Sequence, residues 1–380
     1  MYKFDRYHQY SLSDFNQPMG MEMNPENRWV KKAAESDINA SLGGNIISLD
    51  GSDGFLNMLQ IMMSNEQDGV SYSQHCSKLN TVYRFLVPDA TQQEVIIYEK
   101  LIRKLYVRFG IIPEDEQVGA LVLTDLAADK YPILSDLLQL IKEEKPKYKE
   151  ENAESYAYIC KIELVIDNLI TNYGHIFNGH TSIGDILADQ IVFFDIKNLG
   201  NMKTEIFNAQ LYSSLYLCWD NCIKIGRPMK ELYENGKISL SDARKFLLMI
   251  DESHKIINTN RPYAVEQVSQ FAREARKFFG GIYFASQSIR DFVPEGSDST
   301  AVDKIKVLFD LSQYKFVLNQ DTNAINTIDR VFGHSFTQSE LADIPKLSRG
   351  QTILSIQGYR NIMFNVECTD DEINLFRGGA

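Results

Sequence analysis

The sequence predicts an α/β fold built on a parallel sheet and interrupted by a mainly helical insertion. Three observations predict it. The first is Phe246-Leu-Leu-Met-Ile250, an apolar run short enough to be a strand buried on both faces of a parallel sheet. The second is alternation: Ile191-Val-Phe-Phe-Asp-Ile196 leads into a long helical pattern, and Gly280-Gly-Ile-Tyr-Phe-Ala285 follows another. The third is a change of character between about Phe55 and Leu187, where every periodic segment has helical spacing.

In order, residues 1–20 carry no pattern and read as an arm or linker. Residues 21–54 open the α/β domain: a helix-like stretch from Val30 to about Ala40, a break at Gly43-Gly44, and a short strand at Asn45-Ile-Ile-Ser-Leu49. Residues 55–187 form the insertion. Within it Thr91-Gln-Gln-Glu94 is a capping box and Gly110 a C-terminal stop. Between them Ile97, Leu101 and Leu105 share a face with Tyr98, Ile102 and Phe109. A helix is expected from Asp136 to about Glu144, then an exposed linker over the mixed-charge run Lys142–Glu151 with its breaking Pro146, then a helix from about Glu154 to Asn172.

Residues 188–380 resume the α/β pattern. A helix from about Thr204 to Ile225 places Phe207, Leu211, Leu215 and Cys218 on one face, and a second runs from about Val265 to Phe279. Lys315-Phe-Val-Leu318, Gln351-Thr-Ile-Leu-Ser-Ile356 and Ile362-Met-Phe-Asn-Val366 are strand candidates, the last two forming a hairpin around a Gly-containing loop.

Composition narrows the function classes. With 44% hydrophobic and 24% charged residues the chain is an ordinary globular protein. No apolar run approaches the length of a membrane span, and Met1–His8 has no signal-peptide character. Five scattered cysteines suit a reducing cytoplasm; Cys218 and Cys222, one helical turn apart, read as buried thiols. A net charge of −12 argues against a nucleic-acid coat, while leaving room for a local basic channel.

The chemistry gathers at strand ends. Ligands of parallel sheets bind at the carboxyl ends of the strands, where Asp251 and Glu252 emerge. This is the shape of a Walker B element: an Asp holding Mg²⁺, directly or through water, and a Glu polarising an attacking water. The plainer alternative is a buried strand running into a solvated acidic turn. Ser286-Gln287 follows the Gly-Gly strand, and a Gln there could sense a γ-phosphate or orient water. Arg273 and Arg276, at i and i+3 of a predicted helix beside Lys277, suit phosphate, although a solvated basic face is the commoner origin of such spacing. Asp195 reads as a turn residue. His254 reads as a loop residue, with a base as the alternative, and Asn319-Gln320-Asp321 is a polar strand end open to either reading.

The order Leu248-Met-Ile-Asp-Glu252, Arg273-Glu-Ala-Arg-Lys277, Gly280-Gly281, Ser286-Gln-Ser-Ile-Arg-Asp-Phe292 and Phe316-Val-Leu-Asn-Gln320 resembles the C-terminal motor domain of conjugal transfer ATPases. These are the TraC/TrsE-like energising subunits of type IV secretion systems. Pro25-Glu-Asn27, Gly43-Gly44, Pro132–Asp136 and Phe193-Phe-Asp195 fall in the same order, so the resemblance covers roughly Asn24 to Val366. It implies a RecA-like P-loop NTPase-type domain. It also implies ATP and Mg²⁺ as ligands, with Asp251 on Mg²⁺, Glu252 activating water, and Gln287 sensing the γ-phosphate. Lys277 would contact nucleotide, and Arg276 or Arg273 would act across a subunit interface. The partners implied are secretion-channel subunits and coupling proteins, a homo-hexamer, and transported DNA or protein, at the inner face of the cell membrane.

One departure stands against these agreements. The family carries G-x-x-x-x-G-K-[ST] shortly before the Pro-Glu-Asn segment, and the residues before Pro25 contain no such loop. Gly236-Lys237-Ile238 and Gly179-His180-Thr181 imitate it without its leading Gly, its strand or its Lys. The chain therefore reads as a motor domain cut downstream of its phosphate grip: a fragment, a product of a split reading frame, or a non-hydrolysing relative. The expectation is negligible ATP hydrolysis by this chain alone. The alternatives are a non-catalytic scaffold or docking subunit of the channel, and a DNA-binding translocase fragment.

Overall fold

The computed structural model describes residues 44–62, 68–114, 126–183, 189–294, 296–333, 335–370 and 372. The Pro25-Glu-Asn27 segment, the Val30–Ala40 helix and Gly43 lie outside the described residues. The chain divides into two compact units, Leu42–Lys224 and Ile225–Ala380.

In the first unit β1 (Asn45–Ser48) pairs in parallel with β2 (Val192–Asp195), Asn45 opposite Val192 and Ser48 opposite Asp195. Among the described residues between them lie four α-helices: α1 (Asp68–Leu86), α2 (Gln92–Arg108), α3 (Leu134–Glu151) and α4 (Ala153–Phe177). They enclose one core, which includes Tyr83, Leu101, Leu105, Tyr106, Leu137, Ile141, Ile162 and Leu169. Thr91 caps α2 by accepting the Glu94 N–H, but the reciprocal half of the box does not form. Instead the Glu94 carboxylate, 1% exposed, accepts from the Tyr83 hydroxyl at 2.6 Å and contacts Lys161 Nζ at 3.1 Å. Gly110 stops α2 in the left-handed region at φ +67°. Phe109 leaves the apolar face, because it is the C-cap residue and is 37% exposed.

The expected linker at Lys142–Glu151 is instead helix, with Pro146 inside α3. Packing overrides the proline. Glu144 and Tyr148 are buried on the inner face, Glu144 is ion-paired with Lys104 and Lys147, and Lys145 reaches Glu163 of α4. The turn comes only at Asn152, whose side chain caps α4.

The helix after β2, α5 (Thr204–Glu234), runs past its expected end and carries Pro228 inside it. Beyond it β3 (Phe246–Ile250) pairs in parallel with β4 (Gly280–Phe284), Phe246 opposite Gly280 and Ile250 opposite Phe284. Helix α6 (Pro262–Ala275) crosses over between them, with Pro262 in the first turn, where its missing N–H costs no intrahelical bond. The expectation that β3 is buried on both faces fails at Leu247, which is 52% exposed. Among the described residues β4 alone pairs with β3. After α7 (Ser299–Asp310), β5 (Tyr314–Val317) pairs antiparallel with β6 (Gln351–Ile356). Strand β6 forms the expected hairpin with β7 (Arg360–Asn365). Two short helices, α8 (Ile325–Val331) and α9 (Gln338–Asp343), separate β5 from the hairpin.

Candidate functional site

The parallel pairing of β3 and β4 puts the residues that follow each strand at one end. The ladder continues one rung beyond the strands, since Ala285 N–H donates to Ile250 O at 2.9 Å. Ser253 then clamps the two exits together: its N–H and its hydroxyl each donate to Ala285 O at 2.8 Å. Asp251-Glu252 and Ser286-Gln287 thereby face one another across adjacent strand ends.

Gln287 Nε2 donates to Glu252 Oε1 at 2.7 Å. Two of the residues singled out from sequence are thus in direct contact, although 35 positions apart. Glu252 is 8% exposed and sits in the left-handed region at φ +45° and ψ +43°. That backbone costs a non-glycine residue roughly 1–3 kcal/mol and persists only where the surroundings hold it, as the Ser253 clamp and the Gln287 contact do here. Asp251, half-buried at the end of β3, accepts the Glu252 N–H on Oδ1 at 2.8 Å. Burial first, and then the neighbouring Asp251, push the Tyr283 hydroxyl above its ordinary pKa.

Two residues weighed lightly from sequence join the site. His254 Nδ1 lies 3.0 Å from Ser286 Oγ and 3.3 Å from Glu252 Oε2. The same ring nitrogen faces both, whereas a hydrolytic triad uses the two ring nitrogens for nucleophile and acid separately. Gln320, after β5, donates through Nε2 to Gln287 O at 2.9 Å, tethering the Gln287 loop to the third strand end. Neither contact has a local sequence signal, because each arises where distant strand ends converge. Asn319 is a loop tether to Pro345 O and Leu347 O, and Asp321 caps a short 3-10 turn by accepting the Asn323 N–H. Asp195 holds a turn through the Lys197 N–H, as expected. Cys218 and Cys222 are buried thiols, both pushed up to about 12 by burial.

The basic residues lie elsewhere in the unit. Arg273 is in the last turn of α6, and Arg276 and Lys277 are in the 3-10 turn that leads into β4. All three are exposed, and Lys277 pairs with Glu274. They therefore stand at the amino end of β4. The length of a five-residue strand, about 15 Å at 3.3 Å per residue, separates them from Glu252 and Gln287.

Comparison with known proteins bears on the fold. No family model matches the chain. An uncharacterised Bacillus anthracis protein, pXO2-09, is 32% identical over 353 residues, covering 89% of this chain and 54% of that protein. The chain thus spans about half the length of the curated relative it matches. VirB4 of Thermoanaerobacter pseudethanolicus superposes with a TM-score of 0.67 at 20% identity, over 92% of this chain and 82% of its own. The fold is that of VirB4. The α/β architecture is accordingly RecA-like, and the resemblance read from the ordered motifs extends to the fold. The bacterial conjugative coupling protein TrwB matches more loosely, at 12% identity and a TM-score of 0.48 over 87% of this chain.

The residues present fit one part of a nucleotide site. Among the described residues no group of three metal-binding side chains converges. A carboxylate at a strand end nevertheless suits Mg²⁺ arriving on a nucleotide, since that ion keeps its waters and takes one or two carboxylates plus phosphates. The phosphate grip does not fit: G-x-x-x-x-G-K-[ST] occurs nowhere in the 380 residues.

Proposed function

We propose that this VirB4-like chain is the C-terminal motor region of a conjugal transfer or type IV secretion ATPase. In the working motor, ATP binding and hydrolysis are coupled to DNA or protein transfer and pilus assembly. The observation that carries the reading is the 2.7 Å contact between Gln287 and Glu252 at paired strand ends. Glu252 takes a proton from the attacking water, Gln287 orients that water or senses the γ-phosphate, and Asp251 holds Mg²⁺. Bound Mg²⁺ would offset phosphate charge. Arg273 and Arg276, exposed at the far end of β4, serve a neighbouring subunit rather than their own site, which suits a homo-hexamer docked on secretion-channel subunits at the inner face of the cell membrane. Lys277 belongs with them rather than with the nucleotide of its own chain.

The test uses the chain fused behind a P-loop strand and helix that supply the missing phosphate grip. In that fusion Glu252→Gln should lower ATP turnover about 10²–10⁴-fold, the range of general-base catalysis, while Mg·ATP binding persists. Turnover unchanged in Glu252→Gln would overturn the assignment.

A further inference from the structure

Glu252 has a second partner besides Gln287, and it comes from the residues directly after the carboxylate. His254 Nδ1 stands 3.3 Å from Glu252 Oε2, with Ser286 Oγ 3.0 Å from the same nitrogen. Ser286 Oγ also lies 3.5 Å from Ser288 O, so its hydroxyl hydrogen has an acceptor of its own. One arrangement satisfies all four groups: Nδ1 carries the hydrogen, the Ser286 oxygen and the carboxylate receive it, and Ser286 donates to Ser288 O. The opposite tautomer would set an imidazole lone pair against a carboxylate that is 90% withdrawn from water, which is electrostatically unfavourable.

The segment is built to hold this ring. Asn258 Nδ2 donates to His254 O at 2.7 Å, and Ser253 on its other side is clamped to Ala285. His254 itself keeps a quarter of its side chain exposed, so the ring lies at the mouth of the site.

We propose that His254 is a positioning residue for Glu252. Its Nδ1–H fixes Oε2 while the Gln287 amide fixes Oε1, and the carboxylate rests in one orientation with both oxygens engaged. Each oxygen keeps a second lone pair for the attacking water, so His254 and Gln287 together set the direction from which Glu252 can accept its proton. This rests on Glu252 being the water-activating group, but the contact itself is read without nucleotide.

The experiment is ¹⁵N NMR of the 380-residue chain, at a pH where histidine is neutral, with no ATP present. His254 should appear as the Nδ1–H tautomer. Glu252→Gly, which accommodates the left-handed backbone, should return it to Nε2–H; Ser286→Ala should leave it Nδ1–H. His254→Ala should shift the Gln287 side-chain amide resonance, and His254→Asn, which keeps a donor nitrogen near the Nδ1 position, should restore it. An Nε2–H tautomer in the wild type overturns the proposal. So does a tautomer that follows Ser286 rather than Glu252, or a Gln287 resonance indifferent to His254→Ala. Failure of the fused motor to need Glu252 would sink the ATPase reading while leaving the contact intact, so the two failures are distinguishable.

Discussion

Lys78 is a buried cation. It is 1% exposed on α1, and its Nζ has no hydrogen-bond acceptor there. It lies 5.5 Å over the Tyr216 ring of α5, near Asp220, which Lys224 already approaches at 2.8 Å. Burial drives its pKa down to about 8, with Asp220 opposing the shift. The sign follows from proton counting. Between pH of about 8 and the unfolded value of 10.5 the unfolded chain holds a proton that the folded chain has lost, so stability rises with pH across that window. Below it the folded state bears the penalty. Lys78→Met should therefore stabilise the protein at pH 7 by on the order of 3 kcal/mol and flatten the difference from wild type above pH about 10. Chemical denaturation of both proteins at several pH values checks this; an unchanged or lowered midpoint at pH 7 would show that the ammonium is well compensated. The sequence gives no hint of this lysine, because burial of a single residue on a mixed helix face depends on which helix covers it.

At the scale of elements, the approach to β4 depends on a close contact within the second unit. A Cβ placed on Gly226 of α5 would come within 2.1 Å of Phe278 O, in the turn that carries Arg276 and Lys277 and ends at Phe279, itself left-handed at φ +54°. Gly226→Ala should destabilise the protein by about 1–3 kcal/mol, the usual cost of overpacking, and loosen the start of β4. Hydrogen exchange at Gly280–Phe284 would reveal that loosening, and protection equal to wild type would refute it. Elements with strong period or punctuation were legible before the structure: β3 and β6 fall on their expected residues, and Gly110 ends α2 where expected. Pro146 misled because proline is a local signal, whereas Glu144, Tyr148 and the Lys145–Glu163 pair hold α3 through contacts made across helices. The site divided in the same way. The meeting of Glu252 and Gln287 was legible because residues that follow neighbouring parallel strands emerge at one end of the sheet. His254 and Gln320 were named with their roles left open, because the contacts of His254 with Ser286 and of Gln320 with Gln287 join residues 32 and 33 positions apart.

For the whole molecule, a VirB4-like fold brings Glu252 and Gln287 together in a sequence of 380 residues that holds no P-loop motif. Among the described residues no helix is long and apolar enough to cross a membrane, and the net charge of −12 gives no general attraction to DNA. Backbone N–H groups and the lysine of a P-loop supply most protein contacts to the β- and γ-phosphates, so binding energy and alignment both suffer where it is missing. The water-activating half proposed for this chain stands in a sequence without the phosphate-gripping motif. ATP turnover by the unmodified chain, measured beside Glu252→Gln, tests it most directly. Wild type and variant should be equally inactive; turnover that is readily measured in the wild type and vanishes in Glu252→Gln would contradict this.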